Sequence, residues 1–240
     1  MGLKTAEARS EAAPQVARSF DVRRLGRVDY GAALELQAQL VEQRRSAAIG
    51  DTLLLLEHPP VITLGVKTRG QKANIIATPE VLAAEGVTVF ETGRGGDITY
   101  HGPGQLVGYP ILDLRPDRCD VHKYVRDIEE ALIVGLREFG IDGGRVEGRT
   151  GVWVGAAGRE EKIAAIGVRI SRWITSHGFA LNVSTDLRHF RLIVPCGITD
   201  RGVTSIDRVL GRSIPMSEVE DSVARGFDAV FGVTRGAPGL

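Results

Sequence analysis

The chain has 240 residues, enough for one or two domains, and 43% hydrophobic with 25% charged residues is the composition of a soluble globular protein. Lys+Arg and Asp+Glu both number 30, so a whole-chain basic footprint for nucleic acid is absent. Two cysteines, Cys119 and Cys196, exclude a disulfide scaffold, a zinc ribbon and a CxxC redox pair. Residues 1–19 lack the apolar segment of a signal peptide. Apolar runs such as residues 163–168 fall far short of the ~18 residues of a membrane span. The expectation is a cytoplasmic protein engaging neither nucleic acid nor membrane.

Residues 1–18 read as a disordered tail, without apolar period, and residues 234–240 as a frayed end. Asp29 is placed as the N-cap of a first helix, with Ala33, Leu36, Leu40 and Val41 on one face. Residues 52–57 and 61–64 read as two strands around His58-Pro59-Pro60, and four consecutive leucines predict a strand buried on both faces. Thr78-Pro79 starts a short helix that Gly86 closes, and a strand follows over 87–91. Residues 93–108 hold six glycines and read as a loop; a strand is expected over 109–114. Val121, Tyr124, Val125, Ile128, Leu132, Leu136 and Phe139 give a helix stripe over 121–139. Strands follow over 151–155, 162–170 and 177–183, then a short helix over 204–210 closed by Gly211. Ser217 and Glu220 predict a capping box for a last helix, whose apolar face is Val219, Val223, Phe227 and Val230. This order predicts an α/β (α+β) fold with a mixed sheet, not a doubly wound parallel one.

Glycine numbers 30, well above the usual ~7% share, and its clustering marks backbone that bends sharply or approaches a ligand. Cys196 lies in Pro195-Cys196-Gly197, a tight turn that exposes a thiol; a small buried hydrophobe is the other reading. Cys119 sits in a polar loop and reads as an incidental surface thiol. Lys162 leads a strand whose Ala164, Ala165 and Gly167 are too small to fill a core and leave room for a channel. A lysine ending a strand and reaching to water is the plainer alternative. Gly93 to Gln105 is neither a P-loop nor a dinucleotide fingerprint, since no GK[ST] and no helix follows. Its glycines around Arg94 suit backbone N–H groups facing a ligand, with His101 as a hydrogen-bond partner. His177 precedes another small-residue run, and Asn182 inside an apolar strand needs a partner. Metal binding is not expected, because no ligand pair has the required spacing.

Taken together, Arg94-Gly95-Gly96-Asp97-Ile98-Thr99-Tyr100-His101-Gly102-Pro103-Gly104-Gln105, Lys162 with Ala165-Ile166-Gly167, His177-Gly178-Phe179-Ala180-Leu181-Asn182 and Pro195-Cys196-Gly197 resemble the lipoyl(octanoyl) transferase family. Four motifs in order over about residues 21–231 carry the resemblance. It implies a fold shared with lipoate and biotin protein ligases: one catalytic domain over 19–234, its smaller C-terminal part at about 185–234. It implies transfer of an octanoyl or lipoyl group from octanoyl-acyl carrier protein to a lysine, through an enzyme thioester and in lipoate biosynthesis. The acceptors implied are lipoyl domains of 2-oxoacid dehydrogenase E2 subunits and the glycine cleavage H protein.

Carried onto this sequence, Cys196 is the acyl acceptor and Lys162 its activator. Arg94, Gly95, Gly96, Asp97, Ile98, Thr99, Tyr100 and His101 line the acyl site, as do Ala165, Ile166 and Gly167, and Gly178, Phe179 and Ala180. No cofactor and no ATP is implied, since the thioester already carries the activation. Oxyanion donors stay open between His101 and backbone N–H groups near Cys196. The alternatives are an ATP-dependent lipoate or biotin ligase, a non-catalytic acyl-binding protein, and Cys–His hydrolysis with His101 or His177 as base. Five arginines against two aspartates between Arg188 and Arg212 suggest a basic face that steers an acidic carrier.

Overall fold

The computed structural model describes residues 20–68, 74–194 and 201–232. The expected tail, residues 1–18, and the expected frayed end, residues 234–240, lie outside these. The elements are β1 (Phe20–Arg27), α1 (Tyr30–Arg45), β2 (Asp51–Glu57), β3 (Val61–Leu64), α2 (Pro79–Ala84) and β4 (Thr88–Glu91). Then come β5 (Ile98–His101), β6 (Gln105–Ile111), α3 (Val121–Arg137), β7 (Gly144–Val146) and β8 (Arg149–Val154). β9 (Glu161–Ser171), β10 (Ile174–Asn182), α4 (Ile206–Leu210) and α5 (Met216–Phe231) complete the order.

Seven strands form one sheet in the order β1-β2-β6-β10-β9-β8-β7, and β4-β3-β5 form a smaller one. β1 runs parallel to β2 and β4 parallel to β3, while the other pairs are antiparallel, so both sheets are mixed as expected. On β2, Leu53 and Leu55 point into the core beneath α3 and α5. Leu54 and Leu56 point into a second core beneath α1. All four are fully buried, because strand side chains alternate between faces and both faces are covered. A third core joins the small sheet to α2 through Ile62, Leu64, Ile98, Tyr100 and Leu82.

α3 and α5 cross closely over small residues. A Cβ on Gly226 would run into the carbonyl oxygen of Ala131. The hydroxyl of Ser222 donates to the carbonyl of Gly135 at 2.7 Å. The helix stripe read from the sequence supplies the rest of this contact, with Ile128, Leu132, Leu136, Val219, Val223 and Phe227 in one core.

Several expectations need correction. The glycine-rich stretch is not all loop: β5 and the first half of β6 lie inside it, so the strand expected over 109–114 starts at Gln105 and ends at Ile111. Glycine depresses strand propensity but does not stop pairing when neighbouring strands supply the ladder. The last helix starts at Met216 with Pro215 as its N-cap, and no side chain caps it. Ser217 thus sits in the first turn and forms no capping box. β1 and β7 were not expected; both are edge strands, where charged side chains blur the alternation. Asp29 does take the N-cap position of α1, but its side chain makes no capping bond.

Candidate active site

A cavity of about 530 Å³, within the range of small-molecule sites, opens between the glycine-rich segment and the β9–β10 hairpin. Lys162, the second residue of β9, lies at its wall. Its Nζ stands 4.7 Å from the ring centre of Trp153, the residue paired with it on β8. The Lys162 main chain is held on its other side by residues 202–204. Its N–H donates to the carbonyl of Gly202 at 2.9 Å and its carbonyl accepts from Thr204 N–H at 3.0 Å.

Beyond Lys162, Ala165, Ile166 and Gly167 form the β9 part of the wall. Gly95 N–H donates to the carbonyl of Val168 at 2.9 Å, so the glycine-rich segment lies directly on β9. A Cβ on Gly167 would stand 2.8 Å from the carbonyl oxygen of Gly95, and only glycine permits this approach. Gly167 pairs with Gly178 across the hairpin, and Gly178, Phe179 and Ala180 continue the wall on β10.

The glycine-rich segment contributes Arg94, Gly95, Gly96, Asp97, Ile98, Thr99 and His101. The Arg94 guanidinium is buried and donates to the Thr63 hydroxyl at 3.1 and 2.9 Å, to the Thr63 carbonyl at 2.6 Å and to the Gly95 carbonyl at 3.1 Å. Asp97 accepts from Asn74 Nδ2 at 3.1 Å and from Ile98 N–H at 2.7 Å, so its carboxylate braces the segment. Tyr100 does not reach the cavity wall. It lies on the opposite side of β5 from Thr99 and His101, in the third core, with its ring stacked on His189 at 4.9 Å.

A buried aromatic cluster lies behind Arg94. His58 Nδ1–H donates to the carbonyl of Val28 at 2.7 Å, and Nε2 accepts from the Tyr109 hydroxyl at 2.8 Å. Tyr30 stacks on His101 with ring centres 6.0 Å apart. Burial, with Arg94 near, brings His177 down to about 4. Burial also brings His58 down to about 4, and burial with His58 and Arg94 nearby holds His101 well below the usual histidine range. Burial pushes Tyr30 up to about 12. The cluster is therefore neutral at pH 7. Both ring nitrogens of His101 are engaged, by Gln105 at 2.8 Å and Thr63 at 3.4 Å. This places it poorly as an oxyanion donor or as the base of a hydrolase.

Cys196 lies outside the described residues. On either side of its segment, Val194 N–H donates to the carbonyl of Asn74 at 2.8 Å, and Gly202 is tied to Lys162. Cys119 is exposed on the loop before α3. The arginine excess between residues 188 and 212 is partly matched by carboxylates. Arg188 pairs with Asp186 at 2.7 Å, Arg201 pairs with Glu160, and Arg208 stands 3.8 Å from Glu161. Sequence reasoning missed Tyr30, His58 and Tyr109 at the site. They come from α1, the turn after β2 and β6, which only the fold gathers. Asn182 did carry a signal, and its partners are Gln105 and Thr204.

The family described as the lipoyl protein ligase A/B catalytic domain matches residues 29–228. An octanoyltransferase of Acidobacterium capsulatum is 58% identical over 219 residues, covering 87% of this chain and 88% of the relative. One from Myxococcus xanthus is 56% identical over 215 residues, covering 89% of this chain and 60% of that longer protein. Among solved structures, the bipartite lipoate protein ligase of Thermoplasma acidophilum superposes with a TM-score of 0.68 at 16% identity, covering 90% of this chain and 86% of that one. This last likeness concerns the fold alone.

Proposed function

The chain belongs to the lipoyl protein ligase A/B catalytic domain family, and we propose from its octanoyltransferase relatives that it transfers octanoyl groups in protein lipoylation. The observation that carries the reading is the cavity itself. It sets Lys162 beside a stretch of wall whose Ala165, Gly167, Gly178 and Ala180 are small enough to admit an acyl chain.

The donor is an octanoyl thioester on acyl carrier protein. The Cys196 thiolate attacks the acyl carbon; the new C–S bond forms as the old one breaks, and the departing pantetheine sulfur takes up the proton of the Lys162 ammonium, leaving a neutral amine. The acceptor lysine of a lipoyl domain, in an E2 subunit or H protein, then attacks the enzyme thioester. An amide forms, the amine loses a proton, and Cys196 leaves as thiolate. Lys162 serves both halves. As an ammonium it favours the thiolate over a thiol of ordinary pKa ~8.5. As a neutral amine it takes the proton that the attacking lysine loses. No step calls for ATP, and two half-reactions imply ping-pong kinetics. The acyl chain lies along Ala165, Gly167 and Ala180, where each buried methylene contributes about 0.8 kcal/mol. A donor two carbons shorter is therefore expected to lose roughly tenfold in kcat/KM, and equal kcat/KM for hexanoyl and octanoyl donors would place the chain elsewhere.

Intact-protein mass spectrometry after incubation with octanoyl-acyl carrier protein tests the reading. Wild type gains one octanoyl mass that hydroxylamine removes and a lipoyl domain clears, and Cys196→Ser gains none. Absence of any adduct together with ATP–pyrophosphate exchange would overturn it in favour of a ligase.

A further inference from the structure

Gln105 and Asn182 have no part in the chemistry above, yet both are buried and face each other across the β6–β10 ladder. Their hydrogen bonds form a chain whose direction is fixed from one end. The carbonyl of Thr204 can only accept, so Asn182 turns Nδ2 toward it at 2.9 Å. Asn182 Oδ1 then accepts from Gln105 Nε2 at 2.9 Å, and that amide's other hydrogen goes to the carbonyl of Tyr100 at 3.3 Å. Gln105 Oε1 is left facing His101 Nδ1 at 2.8 Å, which therefore carries the ring proton.

In a neutral ring Nε2 is then an acceptor, and the Thr63 hydroxyl faces it at 3.4 Å. The oxygen of that hydroxyl already accepts from Arg94 Nε at 3.1 Å and Nη2 at 2.9 Å, so its own proton remains for His101. At the far end Thr204 N–H donates to the Lys162 carbonyl at 3.0 Å. Every link points the same way, from Arg94 through Thr63, His101, Gln105, Asn182 and Thr204 to Lys162. Turning over the Asn182 amide would set oxygen against oxygen at Thr204 and N–H against N–H at Gln105. A fully satisfied buried chain of this kind specifies one arrangement, whereas two leucines would fill the space without specifying any.

We propose that Gln105 and Asn182 are positioning residues for Lys162, their directed chain locking residues 202–204 beside it and locking His101 as the Nδ1–H tautomer. The glycine-rich wall and the lysine wall of the cavity thereby keep one spacing. The effect on turnover rests on the reading of Lys162 given above. The charged and titratable groups that face His101 are Arg94 from the glycine-rich segment, Tyr30 from α1, His58 after β2 and His177 from β10.

Two readouts on the full-length protein test the proposal. Nitrogen NMR of the His101 ring at neutral pH reports its tautomer without reference to activity. Steady-state octanoyl transfer by Asn182→Leu separates positioning from simple loss of stability. The expected results are a wild-type ring protonated on Nδ1, mixed tautomers in N182L, and a kcat lower by about tenfold or more with the donor KM within about twofold. A wild-type ring protonated on Nε2 overturns the proposal, as does an N182L enzyme with lowered melting temperature and wild-type kcat. Should N182L not fold, Gln105→Met breaks the chain one link earlier with an unbranched side chain, and the same two readings apply. If wild type transfers no octanoyl group, the functional reading fails while the ring signature still decides the chain.

Discussion

The neutral histidines behind Arg94 tie stability to pH. His58 and His177 take protons near pH 4 in the fold and near 6.5 when unfolded. Because the folded pKa is the lower one, their contribution is complete above 6.5. It is lost as pH falls toward 4, where the unfolded chain binds protons that the fold refuses. Each contributes roughly 3 kcal/mol at pH 7, and His101 acts in the same direction. Urea denaturation is expected to show several kcal/mol less stability at pH 5 than at pH 7.5; equal midpoints would mean that the folded rings accept protons freely. At the same scale, Gly167→Ala pushes a methyl against the Gly95 carbonyl, 2.8 Å from where it must sit. Backbone has to move, so transfer is expected to fall by tenfold or more on the order expected for a ~1 Å misplacement, with a near-native circular dichroism spectrum. Full activity in this variant would show that the segment is free to shift. Lys162, the glycine-rich segment and the small residues of β9 were readable because those residue types are poor core fillers and so announce another use. Tyr30 and Tyr109 were not, since an aromatic on a helix or strand is ordinary packing until its neighbours are known.

Among the elements, the α3–α5 crossing sets how far the C-terminal helix can approach the main sheet. Gly226→Ala gains about 1 kcal/mol of helix propensity but drives a methyl into the Ala131 carbonyl, and overpacking against backbone costs about 2–3 kcal/mol. Net destabilisation is expected in thermal unfolding; a variant as stable as wild type would mean that α5 shifts freely. The apolar stripes of both helices were plain in the sequence, whereas the close contact at Gly135 and Gly226 depends on which helix packs there, which periodicity does not tell. Edge strands were the other blind point. β1 carries Asp21, Arg23, Arg24 and Arg27 among eight residues, and its strand state comes from parallel pairing with β2, a tertiary contact that local propensity does not encode.

Across the whole molecule the formal charge is zero, but the cavity wall is not neutral. Lys67, Arg94, Arg149 and Lys162 line it against the carboxylate of Asp97. With the arginines near residue 200 partly matched by carboxylates, the function proposed above makes this wall the expected source of attraction for an acidic carrier-linked donor. kcat/KM for that donor is expected to fall as ionic strength rises, with little change in kcat, and a flat salt profile would remove electrostatic steering. Among the described residues no helix is long and apolar enough to cross a membrane.

β2 gives its leucines alternately to two cores, one under α3 and α5 and one under α1. Neither core can open alone without stripping one face of the strand that the other still needs. Amide hydrogens along β2 and its neighbour β6 are therefore expected to exchange with deuterium only when the entire main sheet comes apart. The ends of α1 and α5 trade theirs in lesser openings.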